Sequence, residues 1–259
     1  MSTITINNAN FYYELHGNGQ PLILIAGYGA NGQSWMPIVN ELSKHFQVLI
    51  FDNRAIGQTN DNEVTLSAQL MAKDVIDLCE ALHLKKPHIV GRSMGGNITQ
   101  TIAATYPDKI NKIGILVSSA KWRKAMLHAI EYQIKMQEQN VCSEIRNEVS
   151  LSWLIGNNSF NNEFIKAKLN ANLQQQSLTN QKRQFQVLKH FDGINNLKKI
   201  KARALIAYGN EDILALPQES RFLAQEIPNA KLVEFDCAHL IVLEQTTKLI
   251  HELITFLKD

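Results

Sequence analysis

The chain has 259 residues, of which 45% are hydrophobic and 19% charged, a composition typical of a globular protein with a sizeable core. Its formal net charge is only +2, which argues against nucleic acid or an anionic membrane as a partner. The apolar runs are too short to span a membrane, and the polar N-terminus does not have the pattern of a signal peptide. Three cysteines without metal-like spacing favour neither a disulfide framework nor a metal site, so we expect a cytoplasmic protein.

Short apolar runs alternate with amphipathic stretches along most of the chain. A hairpin is predicted over Thr3–Asn7 and Phe11–His16. Runs rich in Ile, Val and Leu then predict buried parallel strands over Leu22–Ala26, Val48–Phe51, His88–Val90, Ile113–Val117, Ala204–Ala207 and Lys231–Phe235. Helical patterns cover Ser34–Lys44, Leu66–Leu82, Gly96–Tyr106, Pro217–Gln225 and Gln245–Leu257. This alternation predicts an α/β fold with a mostly parallel sheet covered by helices on both faces.

Residues 121–200 differ from the rest of the chain. They contain none of the six prolines and only two of the thirteen glycines, Gly156 and Gly193, so they can be helical almost throughout. They carry 12 Lys and Arg against 6 Asp and Glu, a charge of +6, which leaves −4 for the remainder. We therefore predict a helical cap over 121–200, inserted after the sixth strand into a core formed by 1–120 and 201–259.

One segment carries the pattern of a nucleophile. His88-Ile-Val-Gly-Arg-Ser-Met-Gly-Gly96 is a strand that runs through G-x-S-x-G into a helix. A serine on so tight a turn is forced into an uncommon backbone conformation, which raises its hydroxyl above the sheet. The alternative is an ordinary glycine-rich turn with an incidental serine, but the strand and helix on either side favour Ser93 as the nucleophile.

A serine nucleophile needs a base and an acid that orients the base. Of the eight histidines, only His239 lies just after a late strand and before the last helix. Asp212 is the predicted acid, on the turn leaving the preceding strand, with Glu211 as its rival. The order serine, aspartate, histidine matches the nucleophile-elbow hydrolases. The amides of Met94 and of Tyr28, on the glycine-containing loop after the third strand, are the predicted oxyanion donors.

With these residues in view, the chain resembles the α/β-hydrolase superfamily over almost its whole length. The resemblance rests on Gly27-Tyr-Gly with Trp35 downstream, Phe51-Asp-Asn-Arg-Ala-Ile-Gly57, Gly91-Arg-Ser-Met-Gly-Gly96, Gly209-Asn-Glu-Asp212 and Ala238-His239. It implies ester-type hydrolysis without a metal or organic cofactor, and a cap that shapes the acyl pocket. The chain departs from the family pattern at Ala26, Ala55 and Ala238, where relatives often have histidine, glycine and glycine. None of these changes removes a catalytic group.

The expected activity is that of a serine esterase acting on a small-molecule ester. Gly27, Trp35, Trp122 and Trp153 are candidate pocket residues, although tryptophans and methionines at helical spacing are as readily explained by core packing. Basic residues of the cap are either a solvated surface or a docking face for an acidic carrier protein: Lys121, Arg123, Lys124, Lys166, Lys168, Lys182, Arg183, Lys198, Lys199 and Lys201. With such a docking face, the chain is similar to the pimeloyl-acyl-carrier-protein methyl ester esterases.

Three other activities remain open on the sequence alone. The first is a cofactor-free perhydrolase of the haloperoxidase type, which shares the Ser-Met-Gly-Gly turn and the triad. The second is hydrolysis of lactones or of carbon–carbon bonds by the same residues. The third is a small-molecule receptor built on a hydrolase scaffold, which steady multiple turnover would exclude. A fold shared by so many activities cannot choose among them.

Overall fold

A computed structural model of the chain describes residues 2–167 and 176–259. Within these ranges, eight strands form one sheet in the order β1-β2-β4-β3-β5-β6-β7-β8. The strands are β1 Ser2–Ile6, β2 Ala9–His16, β3 Pro21–Ile25, β4 Gln47–Phe51, β5 His88–Arg92, β6 Ile113–Leu116, β7 Ala204–Gly209 and β8 Ala230–Phe235. β2 pairs antiparallel with β1 and β4, and all other pairs are parallel. The predicted α/β class and mostly parallel sheet are confirmed.

Helices lie between the strands as the alternation predicted. They are α1 Met36–Leu42, α2 Ala68–Ala81, α3 Met94–Thr105, α4 Lys124–Glu138, α5 Ser143–Leu154, α6 Leu178–His190, α7 Pro217–Glu226, α8 Ile241–Glu244 and α9 Thr246–Lys258. The helix predicted from Ser34 instead begins with a 3₁₀ turn, Gly32–Trp35, followed by α1. A residue from another segment holds this turn in place, because the Gly32 amide donates a 2.8 Å hydrogen bond to the side chain of Asp52, which follows β4.

The sheet separates two hydrophobic cores. Successive strand residues point to opposite faces, so Ile23 packs on one side and Leu24 on the other. The face of Ile23 is covered by α2 and α3, and the face of Leu24 by α1 and α9. β3, β4, β5, β6 and β7 are buried on both faces, as their continuous apolar runs predicted. The prediction of a buried strand was wrong for β8, which lies at the edge of the sheet and buries only Phe235. This two-sided packing leaves the carboxyl ends of the parallel strands as the edge where side chains can meet a ligand.

The segment between β6 and β7 contains α4, α5, a helical stretch at 163–167, and α6. Its two ends meet in an antiparallel bridge between Lys121 and Asp192, supported by a 2.7 Å ion pair of their side chains. The helices are shorter than the nearly continuous helix that the composition favoured, since loops separate them. Within the described ranges, none of the helices is both long and apolar enough to cross a membrane.

Candidate active site

Ser93 lies on the sharp turn between β5 and α3. Its backbone has φ +54° and ψ −120°, a left-handed φ that non-glycine residues seldom adopt. A Cβ on Gly91 would lie 2.1 Å from the Gly95 carbonyl oxygen, and one on Gly95 would lie 2.1 Å from that of Ile25. Both glycines are therefore needed because the backbone segments approach so closely. The Ser93 amide is held by the Leu116 carbonyl at 2.9 Å, which fixes the strained turn to the neighbouring strand.

His239 and Asp212 meet at the same edge of the sheet. The Nδ1 atom of His239 lies 2.8 Å from Oδ2 of Asp212, and both residues are almost completely buried. The other carboxylate oxygen of Asp212 accepts the amides of Leu214 and Ala215 at 2.8 and 3.0 Å. The aspartate is thus fixed from both sides, and Nε2 of His239 is left to face the cavity whose wall Ser93 shares.

The rival acid Glu211 has a different contact. Its carboxylate accepts the amide of Asn157, in the loop after α5, and so ties the insert to the β7 turn. Asp212 is therefore the carboxylate that touches His239, as the Gly-x-x-Asp pattern predicted. The structure brings Asp212, His239 and Ser93 to one place, and their catalytic roles remain predictions.

The predicted oxyanion donors lie on either side of Ser93. Met94 is the first residue of α3, where an amide has no acceptor within its helix. The loop carrying Tyr28 lies against Ser93, since a Cβ on Gly27 would be 3.1 Å from that of Ser93. Within the described ranges, neither the Tyr28 nor the Met94 amide donates to a protein acceptor. Both are available to a developing oxyanion.

The loop of Tyr28 is supported in a way the sequence did not show. At Ala26, where relatives often have histidine, the carbonyl accepts the Asn53 side chain at 3.2 Å. Further along, the Gly29 amide donates to Oε1 of Gln184, a fully buried residue of α6, at 3.0 Å. Gln184 in turn donates to the Arg54 carbonyl at 2.8 Å. The helical insert therefore shapes the loop of Tyr28 directly.

Two cavities share Ser93, His239, Tyr28, Gly29 and Leu154 in their walls. The first, which we call the cap cavity, has about 340 Å³ and lies between the sheet edge and helices α4, α5 and α6. The second, the loop cavity, has about 570 Å³ and opens beside the oxyanion loop and α1. A substrate with its carbonyl at Ser93 can thus place one group in each cavity.

Only two of the four predicted pocket residues line the two cavities. Gly27 lines the loop cavity, and Trp153 lines the cap cavity. The other two predicted residues, Trp35 and Trp122, line neither cavity and follow the alternative of core packing. Trp35 is completely buried beneath the Arg92 guanidinium, 5.6 Å from its ring, and Trp122 is buried with its indole N–H donating to Asn97 at 2.7 Å. The sequence identified them as large aromatic residues near the site but not which neighbours would cover them.

Arg92, the residue directly before Ser93 in the G-x-S-x-G turn, had no functional interpretation from the sequence. Its side chain lines the loop cavity and donates to the Ser34 hydroxyl at 3.3 Å, with no carboxylate of the described residues within ion-pair distance. Burial lowers the pKa of its guanidinium to about 10. It stays charged at neutral pH, stacked on Trp35 and directly before Ser93 in the chain.

Glu244 is a site residue that sequence reasoning missed. One of its oxygens accepts the amides of Ala238 and Leu240, which flank His239, at 3.2 Å each. The other accepts the amide of Gly156, in the loop after α5, at 2.8 Å. Burial raises the pKa of this carboxyl, and the three amide hydrogen bonds oppose that effect. Its position five residues after the histidine was the only signal, and such a spacing has no known meaning by itself.

The described residues contain no cluster of three or more His, Cys, Asp or Glu side chains arranged to hold a metal ion. The site is built from a serine, an imidazole, a carboxylate and backbone amides. These groups are those of nucleophilic acyl transfer, with an attacking hydroxyl, a proton carrier and donors for an oxyanion.

Known proteins of similar sequence or fold include several hydrolases. Over 235 residues the chain is 26% identical to a protein named carbamate hydrolase RutD from Azorhizobium caulinodans, covering 88% of this chain and 87% of that protein. An enol-lactonase structure from Burkholderia xenovorans LB400 superposes with a TM-score of 0.91 at 22% identity, covering all of both chains. A thermophilic esterase structure from Thermogutta terrifontis gives 0.89 at 20% identity, covering 100% of this chain and 98% of that one. Both structures show the fold alone.

The family model described as alpha/beta hydrolase fold matches residues 20–246, which is most of the chain and includes the serine, aspartate and histidine turns. The chain therefore belongs to the α/β-hydrolase family, and it is a hydrolase.

Proposed function

We propose that this hydrolase cleaves carboxylic esters through an acyl-enzyme formed on Ser93. The observation that carries the proposal is the 2.8 Å contact between His239 and Asp212 in a buried setting that faces the strained Ser93 turn. The amides of Tyr28 and Met94, which have no acceptor among the described residues, support an acyl substrate, because such donors stabilise a tetrahedral oxyanion.

The chemistry follows from these positions. His239 takes the Ser93 proton at Nε2 as the hydroxyl attacks the ester carbonyl, while Asp212 holds the Nδ1 proton and stabilises the imidazolium. The amides of Tyr28 and Met94 bind the oxyanion. His239 then gives its proton to the departing alcohol, and water repeats the sequence to release the acid.

Hydrolysis of p-nitrophenyl esters from acetate to decanoate, by the wild-type protein and by S93A, tests this proposal. We expect turnover that peaks at one chain length and disappears in S93A, whose circular dichroism and melting temperature stay near wild type. A fluorophosphonate probe should label the wild-type protein at Ser93. Equal turnover in both proteins would overturn the assignment of the nucleophile, and an inert Ser93 would favour the receptor hypothesis.

Other acyl substrates belong in the same assay. The relatives include proteins named as a carbamate hydrolase and, from Acinetobacter baylyi, (E)-2-((N-methylformamido)methylene)succinate hydrolase, 30% identical over 124 residues that make up 48% of this chain and 47% of that protein. Carbamates and lactones use the same nucleophile and oxyanion donors. A higher kcat/KM for a carbamate or a lactone than for the best ester would replace the ester proposal while keeping the mechanism.

Docking of an acidic carrier protein on the basic cap is a separate proposal. The charge of +6 on residues 121–200 supports it, whereas several of these cations are already paired within the chain: Lys121 with Asp192, Lys182 with Glu138, Arg183 with Asp61 and Lys198 with Glu226. Lys168 lies outside the described residues. Affinity for an acyl carrier protein that falls steeply with salt would support docking, and salt-independent binding would exclude it.

A further inference from the structure

The wall of the cap cavity changes from apolar to polar along helix α4. The helix starts near the catalytic edge, because the Trp122 indole just before it donates to Asn97, one turn beyond Ser93. Its cavity-lining residues then run outward in the order Met126, Ile130, Gln133 and Gln137. At 1.5 Å per residue, the polar end of this stripe is roughly 16 Å from its apolar end.

Helix α5 shows the same gradient in the opposite chain direction. It ends at the catalytic site, since the Leu154 carbonyl accepts the amide of His239 at 3.1 Å. Trp153 and Leu154 line the cavity there, and the lining residues further from the site are Ser150, Asn147, Arg146 and Ser143. Arg146 precedes Leu154 by eight residues, about 12 Å along the helix. Two independent helices thus place their apolar side chains near Ser93 and their polar ones at the remote end.

Among the described residues that line this cavity, Arg146 is the one Lys or Arg, and none is Asp or Glu. Its Nε donates to the Val141 carbonyl at 3.1 Å and its Nη1 to the Gln137 side chain at 3.0 Å, which fixes the direction of the guanidinium. It forms no ion pair with the described residues, and the sequence of 168–175 contains no acid that could pair with it. The remaining donors and the positive charge are free for a ligand.

We propose that this remote end binds a carboxylate, so that the preferred substrates are monoesters of dicarboxylic acids. The inference rests on the proposed ester hydrolysis and names the substrate class for it. The reacting carbonyl lies at Ser93, the hydrocarbon chain covers the apolar part of the cavity, and the far carboxylate meets Arg146 with the side-chain amides of Gln133 and Asn147 beside it. A planar guanidinium with a fixed direction matches a carboxylate in geometry as well as in charge.

The test compares methyl half-esters of succinate, adipate, suberate and sebacate with methyl alkanoates of the same chain length. We expect the best half-ester to have a kcat/KM at least tenfold above its matched alkanoate, since a hydrogen-bonded charge contributes about tenfold to a hundredfold. R146Q should lose this preference, with the KM for the half-ester rising to that for the matched alkanoate. R146K should keep part of it.

Lys135→Gln is the matched control, because Lys135 is an exposed cation of α4 that does not line the cavity, and its variant should keep the preference. Equal wild-type rates on the two series, or a preference that survives in R146Q, would overturn the inference and leave ester hydrolysis standing. Binding of monomethyl suberate and of methyl octanoate to S93A by calorimetry separates the two proposals. Tighter binding of monomethyl suberate, lost when R146Q is added, supports the carboxylate site even if no ester is turned over, and equal binding excludes it.

Discussion

Replacing Glu244 by glutamine removes the carboxylate that holds the backbone on both sides of His239. In the wild-type protein, one carboxylate oxygen accepts the amides of Ala238 and Leu240, and the other accepts the amide of Gly156. A glutamine side chain has almost the same shape but only one oxygen. Whichever way its amide group turns, its NH₂ faces at least one backbone N–H that then loses its acceptor.

The magnitude follows from that lost acceptor. One buried backbone donor without a partner costs about 1–3 kcal/mol. For a protein of this size, about 2 kcal/mol corresponds to a fall in melting temperature of roughly 4–8 °C. If the NH₂ turns toward Ala238 and Leu240, the loop that carries His239 shifts, and small misplacements of a catalytic group can cost up to about a hundredfold in rate. We expect E244Q to lose about tenfold or more in kcat with little change in KM.

The assay measures kcat and KM on the best p-nitrophenyl ester together with the melting temperature. Glu211→Gln is the matched control, because the Glu211 side chain accepts the Asn157 amide in the same loop and has no hydrogen bond to the backbone amides that flank His239. It should leave both kcat and the melting temperature near wild type, because glutamine keeps one oxygen for the single Asn157 amide. A wild-type kcat in E244Q, or an equal loss of kcat in the two variants, would refute a positioning role for Glu244.

Two further variants test packing and charge away from the reacting atoms. Gly156→Ala should reduce stability by about 1–3 kcal/mol in chemical denaturation, because its Cβ would lie 2.9 Å from the Glu244 carboxylate and 3.1 Å from the Ala238 amide; an unchanged denaturation midpoint would contradict this close packing. Burial and the nearby Lys112 lower the pKa of His88 to about 4 from 6.5. Between these values the unfolded chain binds the extra proton, so stability should fall by up to about 3 kcal/mol as pH drops from 6.5 to 4. His88→Gln should flatten that pH dependence of the denaturation midpoint, and an unchanged slope would contradict the buried neutral imidazole.

The predictions that agree with the structure depend on local sequence. A strand, two glycines and a helix start are enough to define the Ser93 turn, because the constraint comes from backbone atoms within a few residues. The order of strands along the chain similarly placed Asp212 and His239 at one sheet edge. Ala55 shows the limit of such patterns. It lies at φ +64°, which explains the glycine common in relatives, yet the turn forms with alanine.

The features that the sequence missed depend on contacts between distant segments. Trp122 is buried because Asn97 lies beside it, and Glu244 matters because the loop after α5 lies against the histidine turn. Neither contact has a local pattern, since each joins residues that are far apart in the chain. The graded polarity of the cap cavity is a further case, because it appears only when α4 and α5 are placed antiparallel over the same space.

The junction between α5 and the histidine turn limits how the cap and the catalytic residues can move. The Leu154 carbonyl accepts the amides of both His239 and Leu240, and Glu244 and Glu211 hold the two amides that follow in the cap loop. Opening the cap at this end would break four hydrogen bonds and displace the imidazole from Ser93. The remote end of α5 is held to α4 instead, because Gln133 donates to the Arg146 carbonyl and Arg146 donates to the Gln137 side chain. A substrate whose charged group binds Arg146 would therefore stabilise the contact between these two helices at the end opposite to His239.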